Sequence, residues 1–336
     1  MKILFSSYTF SPNIGGIESV SAILAEKFVE AGYRVELITQ TPGEEDRGAK
    51  YRVTRRPSIW KVLRLLLWSD VLFQNNISLG SLFPAWLLRK RIIVIHQTWL
   101  RGVDGEVGWN NRIKRALLPH VENVAISQAI GDDIQVPARV IGNPYDDRVY
   151  RLLPAAVRDR ALVFLGRLVS DKGGDLLLRA MKILKDDGLT PDLTIIGGGP
   201  EGEKLQQLSR ELGLDRQVTF TGQKSGRELA ELLNRHQILA VPSRWPEPFG
   251  IVALEGIACG CVVVGSQDGG LKEAIGPCGL TFENGNERAL SECLRTLLRY
   301  PETLNKFRQD APMHLNRFRA ETIATVYCRL LEDASS

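Results

Sequence analysis

Short apolar runs alternate with helix-length segments along almost the whole chain, and this alternation restricts the fold more than any other feature. Ile3-Leu4-Phe5 is typical of a buried strand, a helical pattern follows from Ser19 to Ala31, and residues 34–39 are predicted as a second strand. A strand-helix-strand unit of this kind implies a parallel sheet with a right-handed crossover. Further strands are predicted at 71–73, 91–95, 123–126 and 138–141.

The alternation is interrupted once and then restarts. Residues 142–160 are rich in Pro, Asp and Arg, which is typical of a linker. After it, strands are predicted at 161–168, 192–199, 217–221, 238–241 and 261–264, and helices at 175–188, 201–212 and 226–235. Two successive arrays in 336 residues predict an α/β protein with two doubly wound parallel-sheet domains. Residues from Met313 to Asp333 are predicted as one long helix after the second array.

The composition excludes several classes of protein. A content of 44% hydrophobic and 24% charged residues is ordinary for a globular protein, and a net charge of +4 is too small to indicate a nucleic-acid partner. The five cysteines form no Cys-x-x-Cys pair and the four histidines are scattered, which predicts reduced thiols and no zinc site. The N-terminus has no signal-peptide core and no apolar run has membrane-spanning length. We therefore expect a cytoplasmic protein.

Ligands of open α/β sheets bind beyond the carboxyl ends of the strands, so the loops that follow strands carry the candidate site. If the two domains face each other, a cleft lies between them. Gly15 and Gly16 lie between the first strand and its helix, where glycine lets the backbone approach a ligand and a helix N-terminus favours an anion. A tight turn explains this pair equally well. For Gly197-Gly198-Gly199-Pro200 a plain turn is the simpler interpretation.

Three polar residues follow predicted strands directly. Arg167 ends one strand of the second array and Lys172 lies in the loop after it, an arrangement that suits a diphosphate. Two solvated surface charges are the alternative. His96 follows the strand at 91–95 and therefore lies at the carboxyl edge of the first sheet. A structural role is the alternative for His96.

The stretch WPEPFGIVALEG (245–256) places two carboxylates around an apolar run. Pro246 and Pro248 exclude a helix before about Phe249, so Glu247 lies on a loop and Glu255 lies one to two turns into a helix. The amides of Phe249, Gly250, Ile251 and Val252 then form a free helix N-terminus, which is an anion site. A carboxylate pair for glycoside hydrolysis is a competing interpretation.

Taken together, these motifs resemble those of the retaining glycosyltransferases of family 4, which have the two-domain GT-B fold. The most specific motif is Glu247-x7-Glu255 within PSRWPEPFGIVALEGIACGCVVVGS (242–266), which is similar to the family's E-x7-E motif. The resemblance runs over nearly the whole chain, with support from SPNIGGIES (11–19), GRLVSDKGG (166–174), IIGGGPE (195–201), VTFTGQ (218–223) and FRAETIATVY (318–327).

The resemblance implies domains and roles for individual residues. Residues 1–145 with about 313–336 would form an acceptor-side domain, to which the last helix crosses back, and 146–312 a donor domain. Glu255 would accept from the ribose hydroxyls of a nucleotide-sugar, most often linked to UDP or GDP, and Glu247 would lie near the sugar and its phosphate. Arg167 and Lys172 would neutralise the leaving diphosphate. The remaining implied contacts are the amides of Phe249, Gly250, Ile251 and Val252, the glycines Gly15 and Gly16, and His96 near the sugar.

The family transfers a sugar with retention and without a metal, and no cofactor other than the nucleotide-sugar co-substrate is implied. No convincing Asp-x-Asp site is present, which agrees with that expectation. The chain departs from the family at the hinge, where Asn143-Pro144-Tyr145-Asp146 replaces Asn-Gly-Val-Asp and predicts a stiffer linker. The chain is also short for the family, which suggests a trimmed first domain.

The acceptor is expected to be a glycan, a glycolipid or another lipid-linked molecule, or a small molecule, as in polysaccharide or glycolipid biosynthesis. Residues 47–68 combine an acid-free basic run from Arg47 to Arg64 with the apolar stretch IWKVLRLLLW (59–68). Such a surface suits peripheral contact with the cytoplasmic face of an anionic membrane. A helix that packs on the sheet and solvates its basic face is the alternative.

The sequence therefore predicts a retaining hexosyltransferase. A sugar-nucleotide epimerase or a phosphorylase of the same fold is a first alternative, although no lysine has a context that suggests the cofactor attachment of a phosphorylase. A non-catalytic nucleotide-binding protein is a second alternative. The presence of Arg167, Lys172, Glu247 and Glu255 together favours transfer.

Overall fold

A computed structural model describes residues 1–44, 48–102 and 108–333 of the chain, so that Arg47 of the predicted membrane surface lies outside the described residues. The structure divides into two compact units. Unit 1 comprises Met1–Tyr145 and Phe318–Ser336, and unit 2 comprises Asp146–Arg317. Residues 313–317, which we predicted with the first domain, thus lie in unit 2.

Unit 1 contains a parallel sheet of seven strands in its described part, in the order β3-β2-β1-β4-β5-β6-β7. The strands are β1 (Lys2–Ser7), β2 (Arg34–Thr39), β3 (Arg52–Arg55), β4 (Val71–Asn75), β5 (Arg91–His96), β6 (Glu122–Ala125) and β7 (Arg139–Val140). The helices between them are α1 (Gly16–Glu30), α2 (Ile59–Trp68), α3 (Leu79–Leu87), α4 (Trp109–Leu117) and α5 (Gln128–Ile134).

Unit 2 contains a second parallel sheet, with the strand order β10-β9-β8-β11-β12-β13. Its strands are β8 (Arg160–Leu165), β9 (Leu193–Ile196), β10 (Val218–Gly222), β11 (His236–Val241), β12 (Val262–Ser266) and β13 (Gly279–Phe282). Its helices are α6 (Gly174–Asp186), α7 (Gly202–Glu211), α8 (Gly226–Arg235), α9 (Ile251–Ala258), α10 (Leu271–Ile275), α11 (Glu287–Arg299) and α12 (Glu302–Asn316). The prediction of two doubly wound parallel-sheet domains is therefore confirmed.

The strand order of each sheet reverses at one place, and that place determines where a ligand can bind. In unit 1 the reversal lies between β1 and β4, and in unit 2 it lies between β8 and β11. The connections leave the two strands toward opposite faces there, which opens a crevice at the carboxyl ends. Arg167 and Lys172 follow β8, while Glu247 and Glu255 follow β11. All four residues therefore lie in the loops or the helix that border the crevice of unit 2.

The long helix predicted from Met313 to Asp333 is wrong, because the structure has two helices in that region. The helix α12 ends at Asn316, and a further helix, α13 (Ala320–Glu332), begins after a break. At the break, the Tyr145 amide donates to the Phe318 carbonyl at 3.2 Å, and Tyr145 and Arg319 form an isolated parallel bridge. This pairing requires extended backbone at Arg319, which ends the helical path.

The helix α13 completes the core of unit 1. Its Tyr327 is buried and packs edge-on against Phe73 of β4 at a ring distance of 5.5 Å. Phe73 also packs against Phe5 and Phe28, so that aromatic side chains from β1, α1, β4 and α13 form one cluster. Arg91 of β5 donates to the carbonyls of Leu330 and Leu331 at 2.7 and 2.5 Å, which satisfies acceptors at the end of the helix.

Candidate active site

The loop after β8 presents Arg167 at the carboxyl edge of the unit 2 sheet. The Arg167 side chain is exposed and makes no ion pair with any residue that the structure describes. Its backbone is fixed on both sides, because the Leu168 amide donates to the Gly198 carbonyl and the Leu168 carbonyl accepts from the Glu201 amide, both at 3.0 Å. The Arg167 backbone is thus held in place while its guanidinium group is available to an anionic ligand.

The glycine loop 197–199 packs closely against the backbone on both sides of Arg167. Gly197 and Gly199 have φ values of 152° and 156°. A Cβ atom on Gly197 would lie 1.9 Å from the Gly166 carbonyl oxygen, and one on Gly199 would lie 2.4 Å from that of Leu168. Glycine is required here because two strand-end loops touch through their main chains. The structural interpretation of this loop is therefore supported.

Lys172 and Glu247, which are 75 positions apart, form an ion pair. The Lys172 ammonium donates to Glu247 Oε1 at 2.6 Å, and neither side chain is fully exposed. Gly173 makes the approach possible: its φ is 67°, and a Cβ there would lie 2.0 Å from the Pro242 carbonyl oxygen. The loops after β8 and β11 therefore meet backbone to backbone, and the sequence did not predict this pair.

Two residues that the sequence reasoning missed hold Glu247 in place. Ser243 is buried and its hydroxyl donates to Glu247 Oε1 at 2.6 Å, alongside the Lys172 ammonium. The Ser243 carbonyl in turn accepts from the side chains of Ser266 at 2.7 Å and Asn284 at 3.2 Å. The Gly270 amide donates to the Glu247 carbonyl at 2.7 Å. Ser243 and Ser266 lie inside the quoted frame (242–266) around Glu247, which was the available signal, whereas Gly270 and Asn284 lie outside it.

The N-terminus of α9 lies between the two carboxylates, as predicted. The helix begins at Ile251, with Gly250 as its left-handed N-cap at φ 99°. A Cβ on Gly250 would lie 2.5 Å from Leu271 Cδ1, so glycine is also favoured by space. The amides of Gly250, Ile251 and Val252 donate to no acceptor in the described part of the chain, whereas the Phe249 side chain is buried. Three free amides at a helix N-terminus form an anion site.

Glu255 lies in the second turn of α9 and has an unusual electrostatic environment. Burial, with a smaller contribution from the Asp146 carboxylate, raises the pKa of Glu255 to about 7. Burial and the nearby Glu255 carboxylate also raise the pKa of Tyr150. The Glu255 carboxyl group accepts no hydrogen bond from the described residues. A desolvated acceptor without a donor is suited to ligand hydroxyl groups.

Gly15, Gly16 and His96 belong to unit 1. Gly15 has φ 179°, which is extended backbone that any residue adopts, and Gly16 is the first residue of α1. His96 ends β5 and is completely buried: its Nε2 atom lies 2.9 Å from Asn123 Oδ1, and its Nδ1 atom has no partner among the described residues. Burial lowers the pKa of His96, which therefore stays neutral near pH 7. The Asn123 bond suits the structural alternative, and contact with a sugar stays a prediction for all three residues.

Within residues 1–44, 48–102 and 108–333, no three His, Cys, Asp or Glu side chains are grouped so that they could hold a metal ion. In the same residues, no helix combines the length and apolarity that a membrane crossing requires.

The sequence of unit 2 matches a known family. Residues 153–314 match the family model of the group 1 glycosyl transferases. The D-inositol 3-phosphate glycosyltransferase of Corynebacterium jeikeium is 33% identical over 196 residues, which cover 56% of this chain and 46% of that protein. Its counterpart in Rhodococcus erythropolis is 34% identical over 173 residues, which cover 48% of this chain and 39% of that protein. The match thus spans less than half of the length of these curated relatives.

Solved structures match over both units. Anabaena HepE in complex with UDP has a TM-score of 0.85 at 21% identity, covering 99% of this chain and 100% of that chain. The sucrose-phosphate synthase of Thermosynechococcus elongatus has a TM-score of 0.82 at 20% identity and covers 100% of both chains. The fold is therefore the GT-B fold that the sequence resemblance implied. By sequence, the segment 153–314 is therefore similar to the group 1 glycosyl transferases, and the two units have the GT-B fold.

Proposed function

We propose that the chain is a retaining, metal-independent glycosyltransferase that transfers a hexose from a nucleotide-sugar donor. One observation carries the proposal: Arg167, the Lys172–Glu247 pair and the free amides of α9 border one crevice in a group 1 domain. Breaking a glycosyl-phosphate bond places negative charge on the departing diphosphate. Cations and helix amides aimed at that charge lower the barrier. UDP is the favoured nucleotide, because the related HepE structure holds UDP, and GDP is the alternative.

Each carboxylate takes a distinct role in this proposal. Glu255 accepts from the ribose hydroxyls, because it is half-buried, its pKa is raised by desolvation, and it has no donor of its own in the described residues. Glu247 is placed by Ser243 at 2.6 Å and shares Lys172, so it lies where the donor sugar and its phosphate meet. The donor phosphate competes with Glu247 for the Lys172 ammonium. The acceptor proton passes to a donor phosphate oxygen, so that no protein base is needed.

We also propose a lipid-linked acceptor and peripheral contact with an anionic membrane through α2 and α3. Helix α2 packs through Val62, Leu65 and Leu66, as the packed alternative predicted. Even so, Ile59, Trp60 and Leu67 of α2 are exposed, and so are Phe83, Trp86 and Leu87 of α3. Arg52, Arg56 and Arg64 lie in the same segment as α2 and are exposed, whereas Lys50 is paired with Glu30 at 3.0 Å. Exposed aromatic side chains beside arginines suit an anionic lipid surface.

The function is tested by the release of free nucleoside diphosphate from UDP-glucose, UDP-N-acetylglucosamine and GDP-mannose, with and without candidate acceptors and in the presence of EDTA. We expect release that is stimulated by an acceptor, and a product with the anomeric configuration of the donor. The Lys172→Ala variant should lose about 100- to 1,000-fold in turnover, which is typical for one transition-state donor. Lys204, which is exposed and pairs with Glu201, provides the matched Lys204→Ala control.

The outcomes separate the alternatives. Conversion of the donor to an epimer without release identifies an epimerase, and binding without any turnover identifies a nucleotide-binding protein. If Lys172→Ala and Lys204→Ala are both folded and have equal turnover, Lys172 does not stabilise the leaving diphosphate.

A further inference from the structure

Unit 1 contains a cavity of about 220 Å³. Its lining includes none of the site residues that were predicted from the sequence. It lies where β1 and β2 end, and it is closed on the other side by α2 and the start of α3. The described residues that line it are Ser6, Ser7, Tyr8, Ile38, Thr39, Gln40, Pro57, Ile59, Val62, Ser78, Gly80 and Ser81. Pockets for drug-sized ligands measure about 300–1,000 Å³, so this cavity suits one ring-sized group.

The lining of the cavity offers hydrogen-bonding groups that nothing in the described chain uses, and two of their residues, Tyr8 and Gln40, are exposed to solvent. The Tyr8 hydroxyl, the Gln40 side-chain amide and the Ser78 hydroxyl make no hydrogen bond within the described residues, and Ser78 does not cap α3 with its side chain. Each of these groups can both donate and accept. A ligand hydroxyl also donates and accepts, so these polar groups match a ring that carries several hydroxyl groups.

Apolar side chains share the lining of the cavity with these polar groups. They are Ile59 and Val62 of α2, Pro57 and Ile38. A sugar ring or cyclic polyol has hydroxyl groups at its edge and C–H groups on its faces. Its edge fits the polar groups of the lining, and burying a C–H face on the apolar side chains contributes about 25 cal/mol for each Å² removed from water.

Buried hydrogen bonds fix the floor of the cavity. The Ser6 and Ser81 hydroxyls lie 3.0 Å apart, and the Gln74 side-chain amide donates to the Ser81 hydroxyl at 2.7 Å. All three side chains are buried. On the β2 side, the Thr39 hydroxyl donates to the Tyr8 carbonyl at 3.2 Å. A floor that is already held in place costs little to organise when a ligand binds.

The charges around the cavity decide against a phosphate. No Asp, Glu, His, Lys or Arg is among its described lining residues. Arg56 donates to the Gln40 carbonyl at 3.4 Å, but its side chain is exposed and does not line the cavity. The N-terminus of α3 favours an anion by about 0.3–1 kcal/mol. Even a partial loss of hydration costs an anion free energy, and without a cationic lining residue only this small contribution offsets that cost.

We propose that this cavity binds the uncharged, polyhydroxylated ring of the acceptor, a single sugar or cyclic polyol without a phosphate on the bound ring. The term acceptor rests on the proposed transferase function, whereas the binding of a neutral ring does not. The relatives in Corynebacterium and Rhodococcus are named for D-inositol 3-phosphate, so this chain is expected to differ from them in acceptor class.

The probes are myo-inositol and the methyl glycosides of glucose and mannose, each compared with its phosphorylated counterpart by saturation-transfer NMR, with and without UDP. We expect at least one neutral probe to bind and its phosphate to bind at least about tenfold more weakly. Gly80 lines the cavity, and a Cβ there would meet nothing within 4 Å. A side chain can therefore be added at Gly80 without a clash at its Cβ, and the Gly80→Leu variant, which places a bulky side chain at the cavity lining, should weaken neutral binding about tenfold or more. Gly108 also has open space and lies outside the lining, so that Gly108→Leu is the matched control.

Three results would overturn the proposal: no binding of any neutral probe to the wild type, equal binding to Gly80→Leu and wild type, or tighter binding of a phosphorylated probe. The last result would identify the N-terminus of α3 as an anion site. UDP binding in the same samples reports the donor site separately. A chain that binds a neutral ring but neither binds UDP nor releases it from a donor retains this inference and loses the proposed function.

Discussion

Glu255 shows how one residue can oppose stability and serve binding. The pKa of its carboxyl group is raised from 4.5 to about 7, mainly by burial, so the folded state holds the proton more tightly than the unfolded state does. The contribution of this protonation to the free energy of unfolding is fully present below pH 4.5 and is lost as the pH rises through about 7. A donor whose hydroxyls hydrogen-bond to the carboxylate favours the charged form, so binding releases the proton.

The first prediction concerns Glu255→Gln. At pH 8 the variant should be more stable than the wild type, by at most about 3 kcal/mol, because glutamine carries no buried charge. At pH 5, close to the ordinary value of 4.5, the difference should shrink to about 1 kcal/mol or less, while UDP binding at pH 8 should fall about tenfold or more. Thermal unfolding and calorimetry at the two pH values measure both effects. Glu228→Gln, at an exposed pair with Lys224, is the control. A stability gain that is the same at pH 5 and pH 8 would show that Glu255 does not titrate as described.

The elements of unit 2 are positioned by glycines that allow main chains to touch. Gly197 and Gly199 bring the loop after β9 against the loop after β8, and Gly173 brings the latter against the loop after β11. The ion pair between Lys172 and Glu247 therefore depends on Gly173 as much as on the two charges.

The second prediction compares two left-handed glycines. Gly173 and Gly188 have φ values of 67° and 80°, but only at Gly173 would a Cβ meet an atom within 4 Å, the Pro242 carbonyl oxygen at 2.0 Å. Gly188→Ala should cost about 1–2 kcal/mol for its backbone conformation. Gly173→Ala should cost a further 1–3 kcal/mol, on the order of an overpacked core, and should lower turnover by displacing Lys172. Urea unfolding of the two variants measures the difference, and equal midpoints would contradict the close approach.

The elements also show what the sequence could predict and why the rest escaped it. The period of apolar residues predicted both sheets, and the strand ends located Arg167, Lys172 and the start of α9. The strands β3 (Arg52–Arg55) and β13 (Gly279–Phe282) were missed, because both are short and lie at an edge of a sheet, and β3 is also basic. The contacts of Glu247 with Lys172 and of Ser243 with Asn284 depend on loops that meet only after folding. The break between α12 and α13 has the same cause, because Tyr145 pairs with Phe318 across 173 positions.

At the scale of the whole molecule, the two units carry different chemistry. Unit 2 holds the crevice with Arg167, Lys172, Glu247 and Glu255. Unit 1 holds the neutral cavity and the exposed side chains of α2 and α3. Ile59 belongs to both of these features, since it lines the cavity and is half-exposed. An acceptor with a neutral ring and a lipid tail would fit such a surface, with its ring in the cavity and its tail beside α2.

The third prediction tests the membrane surface with two tryptophans of similar exposure. Trp60 of α2 is 77% exposed and Trp109 of α4 is 72% exposed. Trp60→Ser should weaken co-sedimentation with vesicles that contain anionic lipid by about threefold to tenfold, whereas Trp109→Ser should leave it unchanged. Raising the salt concentration should weaken binding of the wild type, because the arginine contribution is screened. Binding that is equal for neutral and anionic vesicles, or absent for both, would contradict the proposal.

The return of α13 to unit 1 has a consequence for the order in which the molecule can mature during translation. Unit 2 is one continuous stretch, Asp146–Arg317, and its residues emerge from the ribosome as a complete set. Unit 1 is translated first, but its C-terminal segment starts only at Phe318, 173 positions after Tyr145. Until that segment is made, unit 1 lacks Tyr327 and the carbonyl groups to which Arg91 donates. We therefore expect the nascent sheet of unit 1 to expose Phe73 while unit 2 folds, and exposed apolar surface of this kind is what chaperones bind. Unit 1 is therefore the unit whose synthesis begins first and whose folding is completed last.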